Sequence, residues 1–128
     1  RHVKGTFERV LGPGSTAGRT WPLMPIQGAA EMLDGRARTL AGVEVVDDST
    51  VRISLREPLT IFTKFLAMPV AAIVPDSVRE NFGQNPVGTG PWKFVEWRHD
   101  DYLKFARNER YWGDKAGADT LVARIIPE

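Results

Sequence analysis

The side chains whose types invite a chemical reading are few: His2 and His99, the acidic pairs Asp47–Asp48 and Asp100–Asp101, and Ser77. A closed zinc site needs three or four ligands. Neither histidine has a partner at ligand spacing, and the chain contains no cysteine, which removes thiolate ligands, disulfides and thiol nucleophiles together. Paired carboxylates work as acid and base only when burial or a charged neighbour moves their pKa values apart. Both pairs fall where a hairpin turn is expected, and there aspartate is favoured because it bonds the local backbone. Ser77 follows Asp76 at an expected helix start, which capping explains. There is no G-x-S-x-G elbow and no Walker-type GK[ST]. The sequence therefore predicts no catalytic residue, no metal site and no cofactor.

One further stretch, "PVGTGPW" (Pro86 to Trp92), resembles a phosphate loop on the surface. A phosphate cradle requires consecutive backbone N–H groups ahead of a helix N-terminus. Here Pro91 removes one N–H and a strand pattern follows. The stretch is expected to be a structural corner instead. Pro86 and Pro91 stiffen it, and Gly88 and Gly90 are free to take positive φ if the turn requires it. Thr89 is placed to bond the turn's own backbone, and Trp92 starts a strand.

The elements that must carry these residues can be read in order. Val3, Phe7, Val10 and Leu11 share one helical face, and that run stops at Gly12-Pro13. "GPGSTAGRT" is an exposed loop. Leu23, Ile26, Ala30 and Leu33 recur at helical spacing, predicting a helix that begins near Met24 and stops at Gly35. "GVEVVDDSTVRISLREP" alternates on both sides of a polar turn, which predicts an antiparallel hairpin with one buried face. Ile61, Phe62, Phe65 and Leu66 predict a short helix ended by Pro69, "VAAIVP" a buried strand, and "DSVRENFG" a small helix capped by Asp76. "WKFVEW" and "YLKFAR" predict a second hairpin, and "TLVARIIP" a last strand. Phe94 and Phe105 are expected in the core, with Trp112 packing its loop against the sheet.

The whole is an α+β domain over residues 1–128, with antiparallel hairpins in a small mixed sheet packed with short helices. The totals agree with a globular fold: 42% of residues are hydrophobic and 26% charged. A net charge of +1 with interleaved signs argues against a nucleic-acid footprint. No apolar run approaches the ~20 residues that cross a bilayer. The sequence opens without an initiator methionine or signal peptide and reads as a piece of a longer protein.

Taken in register, "VKGTFERVLGP", "IQGAAEMLDG", "GVEVVDDSTVRISLREP", "FLAMPVAAIVPDSV", "NPVGTGPWKFVEWRHDDYLKFARNERYWG" and "DTLVARIIPE" resemble the bacterial extracellular solute-binding proteins of family 5. These are the peptide- and nickel-binding receptors of ABC importers. The resemblance implies a subdomain of the first lobe of a two-lobed, type II-like periplasmic binding protein. It implies capture of oligopeptides or dipeptides for a membrane permease, without catalysis or cofactor. The location it implies is periplasmic or extracellular, free or held by a lipid anchor. By position, ligand contacts would fall at Trp21 and Met24 and at the turn of Met68, Pro69 and Val70. The alternatives are packing of Trp21 on its own domain and core packing of Met68. "MPVAA" lacks the arginine that nickel-binding relatives place here, which weakens a metal-chelate reading. A ligand-sensing domain of a transcription regulator with the same fold is the alternative function.

Overall fold

A computed structural model describes residues 1–75, 77 and 82–126, and its contacts divide the chain into two compact units, Arg1–Asp76 and Ser77–Glu128. The expected helix over 76–83 lies, but for Ser77, Phe82 and Gly83, outside the described residues.

The first unit is built on helix α1 (His2–Leu11), which buries Phe7, Val10 and Leu11 as the spacing predicts, half-buries Val3 and also buries Thr6. The helix ends at Gly12, where Pro13 disfavours a helical conformation in the residue before it; Gly12 is extended at φ −75° and ψ 163°. Phe7, Leu11, Leu23, Ile26, Leu40 and Val43 form the innermost core. Strands β1 (Val43–Val45) and β2 (Val51–Ile53) make the expected hairpin, with Val43 opposite Ile53 and Val45 opposite Val51. Its turn is closed by Asp47, which accepts hydrogen bonds from the Ser49 backbone N–H (2.8 Å) and hydroxyl (2.9 Å).

The helix expected from Met24 is divided. A 3₁₀ turn at Trp21–Leu23 comes first, and helix α2 covers only Ala29–Leu33. Between them Ile26 forms an antiparallel bridge with Leu55, and Gly28 takes the left-handed conformation at φ 84°. The i, i+3, i+4 spacing is real, but backbone pairing to the neighbouring strand captures Ile26 before a helix can pass through it. Gly35, at φ 72°, supplies the expected C-terminal stop.

What captures this segment is a triangle of backbone hydrogen bonds. Gln27 N–H donates to Ser54 C=O (2.9 Å), Gly42 N–H to Gln27 C=O (2.8 Å), and Ser54 N–H to Gly42 C=O (2.8 Å). The approach is so close that a Cβ on Gly42 would lie 2.6 Å from the Gln27 oxygen and 2.7 Å from the Ser54 oxygen.

Helix α3 (Phe62–Phe65) lacks the residue at each end of its apolar stripe, and Ile61 is exposed. Pro69 does not simply end it but opens a second 3₁₀ turn, Pro69–Ala71. The strand expected from "VAAIVP" is absent. The segment is extended after Ala71 without a strand partner, and Val74 is buried by a different device, described below.

In the second unit β3 (Trp92–Arg98), β4 (Tyr102–Arg107) and β5 (Thr120–Arg124) form an antiparallel sheet in that order. A bulge lies between Phe94 and Glu96. Cross-strand pairing places Phe94, Phe105 and Leu121 side by side, with Trp97, Leu103 and Ala123 as the next row. Phe94 and Phe105 meet edge to face at 6.2 Å but are half-buried rather than core. Trp112 departs further from expectation: it is 81% exposed and touches Tyr111, not the sheet.

Arg107 organises the loop before β5, with Nε 2.7 Å from Glu109 and a terminal nitrogen 2.9 Å from Asp119. The Arg107 hydrogen bond, and then that of Lys115, hold the Glu109 carboxyl below the usual carboxylate range.

Two outcomes follow. Gly42→Ala should destabilise the first unit by about 3 kcal/mol, since backbone atoms rather than flexible side chains must give way. Urea denaturation read by hydrogen exchange at Gln27, Gly42 and Ser54 would show it; a loss below about 0.5 kcal/mol would contradict the junction. Because the folded pKa of Glu109 is lowered, its stabilisation is present above the unfolded value of ~4.3 and disappears as pH falls through the folded value. The gap in denaturation midpoint between wild type and Glu109→Gln should be open at pH 7 and closed at pH 2. An equal gap at both would disprove the charge-based account.

Candidate functional site

Among the residues singled out by sequence, the structure brings two groups together. Trp21 opens the first 3₁₀ turn, and Met24 caps it with its N–H donated to Trp21 C=O (3.2 Å). Met68 precedes the second 3₁₀ turn, which Pro69 and Val70 begin. The two turns are neighbours, with Cα atoms within 8 Å, and α3 stands beside the first. Trp21 is 51% exposed and sets its ring edge-on against Phe65 at 5.0 Å and 83°. Met24 and Val70 are half-buried against the core, Met68 is half-buried, and Pro69 is exposed.

Proline explains both turns. Pro22 and Pro69 each occupy the first positions of a 3₁₀ turn, where their fixed φ fits and their missing N–H costs nothing. The second turn is held in place by Thr6 on α1. Its buried hydroxyl donates to Val74 C=O (3.1 Å) and accepts from Val74 N–H (3.0 Å). One side chain thus satisfies both polar groups of a buried residue that has no strand partner. Glu8, on the same helix, accepts from Leu40 N–H (2.9 Å) and Thr39 hydroxyl (2.8 Å), fixing the chain that leads into β1.

The surface of the paired turns is aromatic and thioether-bearing, and carries no titratable side chain. It offers an indole face, two polarisable sulfurs and the edge of Pro69, which suit apolar or cationic groups of a small solute. It has no acid, base or nucleophile. The shifted pKa values among the described residues all have local causes elsewhere. Asp47 is lowered by the Ser49 backbone N–H and hydroxyl, as an exposed turn aspartate should be, and Tyr102 is raised by donating to Glu96. His99 lies in the exposed β3–β4 turn and stacks on Trp97 at 4.0 Å. Among the described residues no three histidine, aspartate or glutamate side chains gather in one place.

The "PVGTGPW" stretch belongs to the second unit and is pinned there by a residue sequence reasoning passed over. Asn108 is only 6% exposed. Its amide nitrogen donates to Gly90 C=O (2.8 Å), its backbone N–H to Pro91 C=O (2.8 Å), and its side-chain oxygen accepts from Arg110 N–H (3.2 Å). Pro86 leads in, and Trp92 begins β3 as expected. Two details of the expectation are corrected. Gly88 and Gly90 do not take positive φ, so the turn does not require it. Thr89 makes no hydrogen bond to the turn's own backbone among the described residues. The signal for Asn108 was available: an asparagine at a strand end, facing a loop rich in unpaired carbonyls.

Thr6→Val keeps shape but leaves the buried N–H and C=O of Val74 without partners, so it should cost about 1–3 kcal/mol. It should also speed hydrogen exchange at Ala71 and Val74. Unchanged stability would show that the hydroxyl does not hold the second turn.

A model of the bacterial extracellular solute-binding proteins, family 5 (middle) matches residues 1–128. The glutathione-binding protein GsiB of Pectobacterium atrosepticum is 39% identical over 82 residues, covering 61% of this chain and 16% of that protein. Among solved structures, NikZ from Campylobacter jejuni in complex with Ni(L-His) shares 28% identity at a TM-score of 0.76, over 98% of this chain and 23% of its own. The periplasmic binding protein DppA from Helicobacter pylori in complex with peptide STSA shares 28% identity at a TM-score of 0.72, over 98% and 26%. The chain thus spans about a sixth of the length of the curated relative.

Proposed function

This chain belongs to the bacterial extracellular solute-binding proteins of family 5, and we propose that it forms part of the substrate-binding protein of an ABC importer for oligopeptides or dipeptides. The reading adopts a non-catalytic role. Closure of two lobes over a bound peptide shifts the population toward the state that a membrane permease recognises. The protein works outside the cytoplasmic membrane, periplasmic or extracellular, either free or lipid-anchored. No described helix is long and apolar enough to cross a membrane.

The observation that carries the reading is that the two 3₁₀ turns, Trp21–Leu23 and Pro69–Ala71, are neighbours, with Met24 and Met68 at their ends. In this proposal they form one apolar wall of the peptide site, and segments outside residues 1–128 supply the rest. A wall without charge contacts peptide side chains rather than termini. The relative that binds glutathione and the one solved with peptide STSA support a peptide cargo. The relative solved with Ni(L-His) favours it less here, because "MPVAA" has no arginine to meet an anionic chelate.

Calorimetry on the longer polypeptide carrying this chain, against a panel of dipeptides, tetrapeptides and glutathione, should give micromolar binding of at least one. Trp21→Ala and Met68→Ala should each weaken it by about tenfold, the loss of roughly 1.4 kcal/mol of apolar contact. Residues 1–128 alone should show no micromolar affinity for the same peptides. Absence of peptide binding by the longer polypeptide would reject the cargo, and unchanged affinity in both variants would reject the wall.

A further inference from the structure

Beside the first 3₁₀ turn lies an open depression of about 290 Å³, lined by Pro25, Arg56, Glu57, Pro58 and Leu59. Its base is fixed by backbone pairing: Arg56 N–H donates to Pro25 C=O (2.9 Å), next to the Ile26–Leu55 bridge. Arg56 and Glu57 follow that bridge in a bend. In a strand, consecutive side chains point to opposite faces. The bend breaks that alternation, which is how both come to line one depression. Pro58 then disfavours a helical conformation at Glu57, and its ring fixes its own φ.

The ion pairs of this unit join Arg36 to Asp34, Arg52 to Glu44 and Lys4 to Glu8, while other exposed charges such as Arg19, Arg38 and Lys64 make none among the described residues. What sets Arg56 and Glu57 apart is that opposite charges line one depression. Arg56 and Glu57 are adjacent and opposite, yet among the described residues neither makes an ion pair, with each other or with anything else. Between them lie proline rings and the exposed Leu59. We propose that this depression is a subsite for a small zwitterion, an amino acid or the ends of a dipeptide. The Arg56 guanidinium takes the carboxylate, Glu57 the ammonium, and the Pro25–Pro58–Leu59 floor a short apolar side chain. The site is separate from the uncharged wall of the paired turns and does not depend on the transport reading.

Both charged groups are solvent-exposed, so the affinity should be weak, with a Kd of about 1 mM at low ionic strength. NMR titration of ¹⁵N-labelled residues 1–128 with Gly-Leu should shift the amides of Arg56, Glu57 and Leu59. N-acetyl-Gly-Leu, which keeps only the carboxylate, should lose about two- to fivefold in affinity on Arg56→Gln and nothing on Glu57→Gln. Gly-Leu amide, which keeps only the ammonium, should show the reverse. Neither substitution touches the Arg56 backbone bond, so both variants should retain the wild-type spectrum elsewhere. The proposal is overturned if Gly-Leu leaves these amides unmoved at about 10 mM, roughly ten times the expected Kd. It is equally overturned if the doubly blocked dipeptide shifts them as much, or if the crossed sensitivity of the two variants is missing. Any of these outcomes leaves the Trp21 and Met68 experiment, and the reading it tests, unaffected.

Discussion

The first unit depends on the place where Gln27, Gly42 and Ser54 exchange three backbone hydrogen bonds. Each is a backbone bond of ordinary length, but together they hold three segments distant in sequence at one point. The loop leaving the first 3₁₀ turn, the entry to β1 and the exit from β2 all meet there. Only glycine at position 42 allows the approach, since any Cβ would overlap the peptide groups of both neighbours. From this junction the Trp21 turn, the hairpin and the Arg56–Glu57 bend take their relative positions. The Arg56–Glu57 depression is therefore set by backbone geometry, whereas the paired turns also need the Thr6 hydroxyl that holds the second one.

Away from the junction, single polar side chains do what longer strands would otherwise do. Thr6 bonds both polar groups of Val74, Glu8 caps Leu40, and Asn108 closes the corner at Gly90 and Pro91. Each is a buried or half-buried bond, where the cost of leaving a backbone group unpaired exceeds the net worth of the bond itself. Short elements explain the need. The strands of the first hairpin and helices α2 and α3 are three to five residues long, too short to satisfy the chain between them. No buried side-chain nitrogen or oxygen among the described residues lacks a partner.

A surface assembled from turns has consequences for chemistry. The shifted ionisable groups are exposed or half-buried and answer to neighbours nearby in the chain, as at Asp47 and Glu109. The paired turns offer shape and polarisable apolar contact, which suits recognition of a solute rather than its conversion. Family membership over residues 1–128 points the same way.

The periodic features were legible from the residues. The α1 face, both hairpins, β5, the Gly35 stop and the role of Asp47 all rest on spacing or turn chemistry that acts within a few residues. The quoted motifs also carried the family. Local signals failed where a distant backbone competed with them. Ile26 has helical spacing but pairs with Leu55; "VAAIVP" looks like a strand, yet Val74 finds a threonine hydroxyl instead of a ladder. Gly88 and Gly90 are flexible by type yet take no positive φ, and the corner is closed by Asn108, distant in sequence, at Gly90 C=O. The sequence by itself determined the elements with strong periods and the kind of protein they make. Only the tertiary structure decided where Gln27, Gly42 and Ser54 meet, because unpaired backbone groups bind whichever partner folding brings within reach, and no local pattern records that partner.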